Sequence, residues 1–316
     1  MQFTTKIPIP KNHFPIDYDS KIMLLGSCFA ENIGMKFQYF KFQSTTNPFG
    51  IIFNAVSLEK LIRRAVENRT FTENDIFFHN ELWHCYEVHS ELSNSDKNTF
   101  LNSLNELINS TAQQLKDSTH IIITLGTSWV YRNMESNEIV ANCHKVPQKQ
   151  FTKELLSISQ TEESLQNLIS LIHSVNPNCN FIFTVSPVRH IKDGFVENTL
   201  SKAHLITALH ASNFQLPTSS YFPSYEIMMD ELRDYRFYAE DMLHPNQTSI
   251  NYIWEQFAIS TISEESQSLM IEIESIQKSL AHEPFNPNSE SHQKFINHLD
   301  LKIKAIQNQF PFIKFC

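Results

Sequence analysis

The chain has 316 residues, of which 41% are hydrophobic and 19% are charged, and its formal net charge at pH 7 is −9. This length accommodates one large α/β domain with additions, or two domains. Nucleic-acid-binding proteins usually present a basic face, so the acidic balance argues against a nucleic-acid partner.

The chain shows no targeting or membrane signal. The first twenty residues lack an apolar core of signal-peptide length, and no window approaches the roughly 18 apolar residues of a membrane span. Five cysteines are scattered without CxxC spacing, which is typical of reduced thiols; they are Cys28, Cys85, Cys143, Cys179 and Cys316. We therefore expect a cytoplasmic protein with no membrane partner.

Short apolar runs alternate with amphipathic segments along the first 260 residues. The runs are continuous, as in strands buried on both faces of a parallel sheet, so the alternation predicts a three-layer α/β/α architecture. In chain order the predicted elements are strand 22–25, helix 29–38, a weaker strand 40–43, helix 56–66, helix 100–115, strand 121–125, helix 153–173, strand 181–185, helix 197–211, a weaker strand 219–222 and helix 249–259.

Two insertions interrupt the alternation of strands and helices, and after about residue 263 the pattern becomes purely helical. Residues 71–89 and 130–140 predict β-hairpins or elaborate loops. Residues 264–280 and 292–309 have helical periodicity and are separated by a linker rich in proline and polar residues. We expect an α/β domain over 1–262 and a C-terminal helical extension over 263–316. The extension would cap the domain or form a dimer contact, and the oligomeric state stays open.

Glycine placement indicates where a site would lie. Of only 5 glycines, Gly26, Gly50 and Gly126 lie at or soon after three predicted strand ends. Glycine freely adopts positive φ and permits close backbone approach. Open α/β sheets bind ligands at the carboxyl ends of their strands, so the three glycines predict a site at that edge.

A serine and an Asp-x-x-His segment are the residues that could carry chemistry there. Ser27 follows the first strand, and Asp241 and His244 precede the last helix of the sheet domain. A histidine acts as a general base when a carboxylate fixes its tautomer. Residue patterns alone leave three readings: Ser27 is a nucleophile, Ser27 only caps the following helix, or Cys28 is the nucleophile.

Several segments carry a resemblance to a known family. The chain resembles the GSCFA family, which is grouped with the SGNH, or GDSL-like, hydrolases. The matching segments are GSCFA (26–30), NPFG (47–50), LGTSWVYR (125–132), NCHKVP (142–147), SPVRH (186–190), YFPSYEIMMDELRDYRFY (221–238) and DMLHPN (241–246). They cover roughly the first 250 residues, and the C-terminal extension carries none of them.

The resemblance implies a flavodoxin-like sheet with a Ser-His-Asp site. Ser27 would be the nucleophile, His244 its general base, and Asp241 the residue that orients His244. The oxyanion hole would use backbone N–H groups at Cys28 and Gly50, with a further donor from the segment after the third strand.

This chain departs from the wider superfamily in that further donor. The superfamily has Gly-x-Asn-Asp, and its asparagine donates into the oxyanion hole, whereas here Gly126 is followed by Thr127 and Ser128. Either hydroxyl could replace the amide. Asn142 or His144 could also supply the donor. Candidate substrate-binding residues are Asn47, Asn142, His144 and Arg189, and His190 beside Arg189 could also contact substrate.

A zinc site is the remaining chemical possibility. His79, His84 and His89 lie near Cys85 in sequence, but their spacing matches no structural zinc pattern. We expect no metal and no other cofactor.

We therefore expect an SGNH-type serine ester hydrolase, an esterase or O-deacetylase that acts on a small acyl ester such as an acylated sugar. The alternatives are an O-acyltransferase with the same three residues and a non-catalytic binding module that keeps the fold. The natural substrate and acyl group are not specified by the sequence.

Overall fold

The computed structural model describes residues 4–211, 217–283 and 285–315, so Cys316 lies outside the described residues. The strands in these ranges are β1 (Lys21–Gly26), β2 (Gln43–Thr46), β3 (Phe77–His79), β4 (Leu82–His84), β5 (His120–Leu125), β6 (Trp129–Asn133), β7 (Ile139–Val140), β8 (Phe151–Leu155), β9 (Asn180–Val185) and β10 (Ser219–Tyr221). The α-helices are α1 (Cys28–Tyr39), α2 (Ala55–Val66), α3 (Lys97–Asp117), α4 (Ile158–Val175), α5 (Phe195–His210), α6 (Ser224–Glu226), α7 (Gln247–Thr261), α8 (Glu264–Leu280) and α9 (Glu290–Gln309).

Five of these strands form a central parallel sheet in the order β10-β9-β5-β1-β2. Counted within the sheet, this is the 2-1-3-4-5 order of flavodoxin-like folds, whose winding direction reverses between β1 and β5. The predicted three-layer architecture with a parallel sheet is confirmed.

The two faces of the sheet bury two separate cores. In β1, Met23 and Leu25 face a core formed with α2, α3, α4 and α5. Ile22 and Leu24 face a second core formed with α1, α7, α8 and α9. Because successive side chains of a strand point to opposite faces, burial on both faces explains the continuous apolar run.

The weaker strand prediction over 40–43 was wrong in its position, since β2 begins at Gln43. Phe40 instead ends α1, and Lys41 adopts a positive φ of 63° in the turn that follows. The apolar signal at Phe40 and Phe42 comes from their packing into the core on the α1 side, not from a strand. The strand itself reads QSTT and lies at the sheet edge, where no apolar run is needed.

The helix predicted over 153–173 begins later, at Ile158. Ser157 caps α4, and its side chain and that of Gln160 satisfy each other's backbone N–H groups. The residues before the cap form β8, which pairs antiparallel with β6. Both predicted hairpins are confirmed: β3 pairs with β4, and β6 pairs with β7 and β8.

The C-terminal helices are integrated into the second core. Ile273 of α8 is fully buried, and Leu299 and Ile306 of α9 are 5% exposed. All three belong to the cluster that contains Phe37 of α1 and Trp254 of α7. The helices therefore cover the α1 side of the sheet.

None of the helices in the described ranges is both long enough and apolar enough to cross a membrane.

Candidate active site

Ser27 lies at the carboxyl end of β1, where the winding of the sheet reverses. Gly26 makes the turn, with φ of 131°, and a Cβ at this position would lie 2.1 Å from Thr124 O. The Ser27 N–H donates to that same carbonyl at 3.0 Å. Since open α/β sheets bind ligands beside such a reversal, Ser27 occupies the expected ligand position.

The Ser27 side chain is also the N-cap of α1. Its Oγ accepts a hydrogen bond from the Phe29 N–H at 3.2 Å, and the residue is 1% exposed. This contact uses one lone pair and leaves the hydroxyl proton available to another acceptor. Ser27 therefore caps α1, and whether it is also a nucleophile stays a prediction.

The segment after β2 closes over the end of β1. Asn47 Oδ1 accepts the Gly26 N–H at 2.8 Å, and Ile52 N–H donates to Gly26 O at 3.0 Å. The Gly50 N–H donates to Asn47 O at 2.8 Å within this turn. The Gly50 N–H, one of the predicted oxyanion donors, is therefore already hydrogen-bonded within the turn. The Asn47 side chain binds the backbone of Gly26.

The two hydroxyls predicted to replace the missing asparagine are hydrogen-bonded to α5. Thr127 Oγ1 lies 2.7 Å from Ser201 Oγ, and Ser128 Oγ donates to Ser201 O at 3.1 Å. The Ser128 N–H also donates to Ser201 Oγ, at 2.7 Å. Both side chains are buried, so these contacts tie the segment after β5 to the helix.

Asp241 and His244 form a hydrogen-bonded pair. His244 Nδ1 lies 2.5 Å from Asp241 Oδ2, and Asp241 Oδ1 accepts the backbone N–H groups of Leu243 (2.9 Å) and His244 (3.0 Å). The His244 backbone N–H, followed by its side chain and the Leu243 N–H, lowers the pKa of Asp241 to about 2. The carboxylate therefore stays ionised and fixes the imidazole, as a general base requires.

Arg189 connects this pair to the sheet. It follows β9, its backbone N–H donates to Leu243 O at 3.2 Å, and its Nη1 donates to Met242 O at 3.3 Å. The guanidinium also lies about 5.5 Å from the ring centroids of Phe195 and Tyr238. Arg189 thus contacts the turn that carries His244, and the turn lies at the same edge of the sheet as Ser27.

Ser27 and His244 are not hydrogen-bonded to each other in this structure. Across the described ranges, no hydrogen bond joins Ser27 Oγ to His244, whose side chain is 48% exposed. Catalytic hydrogen bonds are often long in unliganded proteins and shorten when substrate binds. The structure therefore places the Asp241–His244 pair and Ser27 at the same edge of the sheet without a hydrogen bond between them.

Asn142 and His144 lie against the β3–β4 hairpin. His144 Nε2 is 2.7 Å from Cys85 O, and the His144 ring centroid is 4.7 Å from that of His84. Burial, partly offset by the hydrogen bond to Cys85, lowers the pKa of His144 to about 4. Asn142 Oδ1 accepts the His144 N–H at 2.8 Å. These contacts are internal to the hairpin region, and the substrate-binding roles of both residues stay predictions.

Cys28 has the environment of an un-ionised thiol. Burial, followed by the negative charge of Glu31, raises its pKa. The thiolate is the nucleophilic form of cysteine, so this environment favours Ser27 over Cys28. The Cys28 N–H is the first of α1 and has no acceptor within the helix, which keeps it a candidate oxyanion donor.

Lys202 was missed by sequence reasoning as a site component, and His190 was considered only together with Arg189, as a residue that could contact substrate. Lys202 of α5 is 1% exposed, and its Nζ donates to Gly126 O and Ser186 O at 2.7 Å each. Burial lowers its pKa to about 7. His190 follows β9 and packs on Gly126. The signal for Lys202 was a lysine within the buried stripe of α5, beside Ser201 and Leu205.

The histidines near Cys85 do not assemble with other ligands in the described ranges. Among those residues, no three His, Cys, Asp or Glu side chains group closely enough to hold a metal ion. His84 instead makes protein contacts, with Nδ1 2.6 Å from Ser93 Oγ and Nε2 3.0 Å from His79 O.

Comparison with family models gives two matches. The model described as GSCFA family matches residues 21–257, and the model described as GSCFA domain protein, C-terminal domain, matches residues 273–315. The first match spans Ser27, Asp241 and His244. Comparison with curated proteins gives no match.

Proposed function

The chain belongs to the GSCFA family, and on that premise we propose that it is a serine-dependent ester hydrolase of the SGNH type. Ser27 attacks the ester carbonyl, His244 acts as general base, and Asp241 orients His244. One observation carries the proposal: a serine directly follows β1 where the sheet reverses its winding, and an Asp-His pair 2.5 Å apart lies at the same edge.

The first half-reaction forms an acyl-enzyme. His244 Nε2 takes the Ser27 hydroxyl proton as Oγ bonds to the carbonyl carbon, and the carbonyl oxygen becomes an oxyanion. When this intermediate collapses, the bond to the leaving alcohol breaks and the alcohol takes the proton from His244. Asp241 remains ionised throughout, because its pKa is about 2, and stabilises the imidazolium.

The second half-reaction releases the acid. Water gives a proton to His244 while its oxygen bonds to the acyl carbon, and collapse returns the proton to Ser27 Oγ. A small O-acetyl ester, such as an acetylated sugar, is the proposed substrate class. The reaction as written needs neither a metal nor a nucleotide.

Substrate binding has to bring His244 to Ser27. The turn that carries His244 is held by the Ala239 N–H, which donates to His244 O at 2.8 Å, and by the contacts from Arg189. We propose that the turn shifts as a unit when substrate binds. Closure of a loop over bound substrate commonly completes a catalytic arrangement in this way.

The test is hydrolysis of p-nitrophenyl acetate by the wild type beside Ser27→Ala and His244→Ala. Each substitution is expected to lower kcat by about 10³-fold or more. Ser157→Ala is the matched control for Ser27, because Ser157 also caps a helix through its hydroxyl. His282→Ala, at an exposed position, is the control for His244.

The alternatives give different results in the same assay. An acyltransferase would hydrolyse the ester slowly and form a new ester rapidly when an alcohol such as glycerol is added. A non-catalytic binding module would leave the wild type, Ser27→Ala and His244→Ala at the same background rate, which would contradict the proposal.

A further inference from the structure

His190 presents a buried, unpaired ring nitrogen at the end of β5. Its Nε2 lies 3.3 Å from the position that a Cβ on Gly126 would occupy, and its ring centroid is 5.9 Å from that of Phe53. Within the described ranges this Nε2 is buried and has no hydrogen-bond partner. A buried polar atom without a partner calls for an explanation, and one explanation is a partner that arrives with the substrate.

The position of this nitrogen relates it to Ser27. Gly26 of β1 pairs in parallel register with Thr124 of β5, so Ser27 and Leu125 each directly follow a paired position at the ends of neighbouring strands. His190 follows β9, the neighbour of β5 on its other side, and its ring reaches back over Gly126. The unpaired Nε2 is therefore beside the strand end that adjoins Ser27.

The surroundings of His190 keep its imidazole neutral. Burial, followed by electrostatic interaction with Lys202 and His244, lowers the pKa of His190 to about 3. Lys202 is itself faced by Cys28 and Glu226. A neutral imidazole carries one N–H and can donate one hydrogen bond without adding a charge to the site.

The backbone holds the ring in this orientation. The His190 N–H donates to Asn198 Oδ1 of α5 at 2.8 Å, and Lys202 of the same helix bonds to Gly126 O and Ser186 O at 2.7 Å each. Lys202 therefore links the residues that follow β5 and β9 through hydrogen bonds. The His190 ring packs on one of them, Gly126. Lys202 is a positioning residue in this arrangement.

We propose that the Nε2–H of His190 donates a hydrogen bond to the oxyanion formed when Ser27 attacks the ester, and so replaces the asparagine that the superfamily uses. This inference rests on the proposed function, because the oxyanion exists only if Ser27 is the nucleophile. Thr127 and Ser128 stay bonded to Ser201, and the donor comes instead from the His190 ring that packs on Gly126.

The experiment compares His190→Phe, which fills the ring volume without a donor, with His190→Gln, which restores an N–H at similar reach. We expect His190→Phe to lower kcat on p-nitrophenyl acetate about 100-fold with KM within twofold, since an oxyanion donor acts on the transition state. His190→Gln is expected to recover at least tenfold of that loss. His173→Phe, at a histidine bonded to Cys179 O away from this edge, is the control.

A second measurement separates donation from packing. The serine oxygen adds to the carbonyl carbon of a trifluoromethyl ketone and its proton passes to His244, which leaves a tetrahedral hemiketal oxyanion. The inhibition constant should therefore rise in parallel with the loss of kcat in His190→Phe. A merely structural role would not move inhibition and kcat together. Thermal melts report whether each variant is folded.

The possible failures are distinguishable. If the wild type hydrolyses the ester through Ser27 but His190→Phe retains more than half of kcat, the role of His190 is overturned and the esterase stands. If His190→Gln is no better than His190→Phe, donation is likewise overturned. If the wild type shows no turnover that depends on Ser27, both proposals fail.

Discussion

Asp241 holds His244 at two points of one short turn: Oδ1 accepts the backbone N–H at 3.0 Å, and Oδ2 lies 2.5 Å from the ring Nδ1. The ring contact requires a proton on Nδ1 and leaves the Nε2 lone pair free to accept one. The backbone contact holds the carboxylate and the ring together as a unit. This relationship is what suits His244 to the role of base in the proposed reaction.

Asp241→Asn is expected to separate orientation from stability. The asparagine Oδ1 can still accept the His244 N–H, but the amide nitrogen facing Nδ1 favours the wrong tautomer. We expect kcat to fall on the order of 10³- to 10⁴-fold with little change in Tm. Asp234→Asn is the control, because Asp234 also accepts a local backbone N–H, from Arg236. Retention of kcat within tenfold of wild type by Asp241→Asn would remove Asp241 from the proposed site.

Gly26→Ala is expected to damage folding rather than chemistry alone. Residue 26 has φ of 131°, and a Cβ there would lie 2.1 Å from the backbone oxygen of Thr124. Backbone strain and overpacking together should cost about 3 kcal/mol or more of unfolding free energy. Gly194→Ala is the comparison: its φ is also positive, at 115°, but the added Cβ meets the movable Glu197 side chain. Urea unfolding should therefore show a clearly larger loss for Gly26→Ala.

Lys202 is expected to make stability rise with pH above neutrality. Its pKa is about 7 in the folded protein and 10.5 ordinarily, so above pH 7 the unfolded chain carries a proton that the folded chain lacks. The unfolding free energy should rise by up to about 1.4 kcal/mol per pH unit. Lys202→Met removes this contribution.

The window for that measurement is about pH 7.0–8.0. Above it the cysteines oppose the effect, because burial raises the pKa of Cys28, Cys85, Cys143 and Cys179, and the unfolded chain then loses protons first. Urea unfolding at pH 7.0, 7.5 and 8.0 should show a steeper increase in wild type than in Lys202→Met. Equal slopes in the two proteins would contradict a buried, titrating lysine.

Acid should destabilise the protein through its buried histidines. The pKa of His144 is lowered to about 4 and that of His190 to about 3, from an ordinary 6.5. Below pH 6.5 these two histidines bind protons in the unfolded chain but stay neutral in the folded chain. The unfolding free energy therefore falls as the pH falls. Each group contributes up to about 1.4 kcal/mol per pH unit. His144→Gln should flatten the dependence between pH 6.5 and 5, whereas the surface variant His282→Gln should not.

The C-terminal helices are expected to share the stability of the sheet domain. Ile273 of α8 is fully buried in the core that contains Phe37 and Trp254, whereas Ile271 of the same helix is 70% exposed. Ile273→Ala should cost about 2–5 kcal/mol of unfolding free energy and Ile271→Ala about 0.5 kcal/mol or less. One cooperative transition that shifts as a whole is expected in Ile273→Ala. A second, separate transition would show that these helices fold independently.

Much of the fold could be predicted because three central strands are buried on both faces. The apolar runs in β1, β5 and β9 are continuous for that reason, and continuous apolar runs predict a parallel sheet. β2 was misplaced because an edge strand reading QSTT carries no apolar signal. β8 was absorbed into a helix prediction because three of its five residues are polar and lie directly before the α4 cap.

The site was predictable only where a single segment carries it. Asp241 and His244 are three residues apart, so their pairing follows from local spacing. The oxyanion donors were harder, because whether a donor is free depends on distant partners: Ser128 is bonded to Ser201, 73 residues away. His190 and Lys202 acquire their surroundings only when β5, β9 and α5 are packed together.

The most direct test of Ser27 as the nucleophile is covalent labelling of the folded protein with a serine-reactive fluorophosphonate, followed by intact and peptide mass spectrometry. We expect one adduct on Ser27 in the wild type, no adduct in Ser27→Ala, and slower labelling in Asp241→Asn. An unmodified wild type would contradict the claim, and so would equal labelling of Ser27→Ala. Either result would make the Gly26-Ser27 turn a helix cap and nothing more.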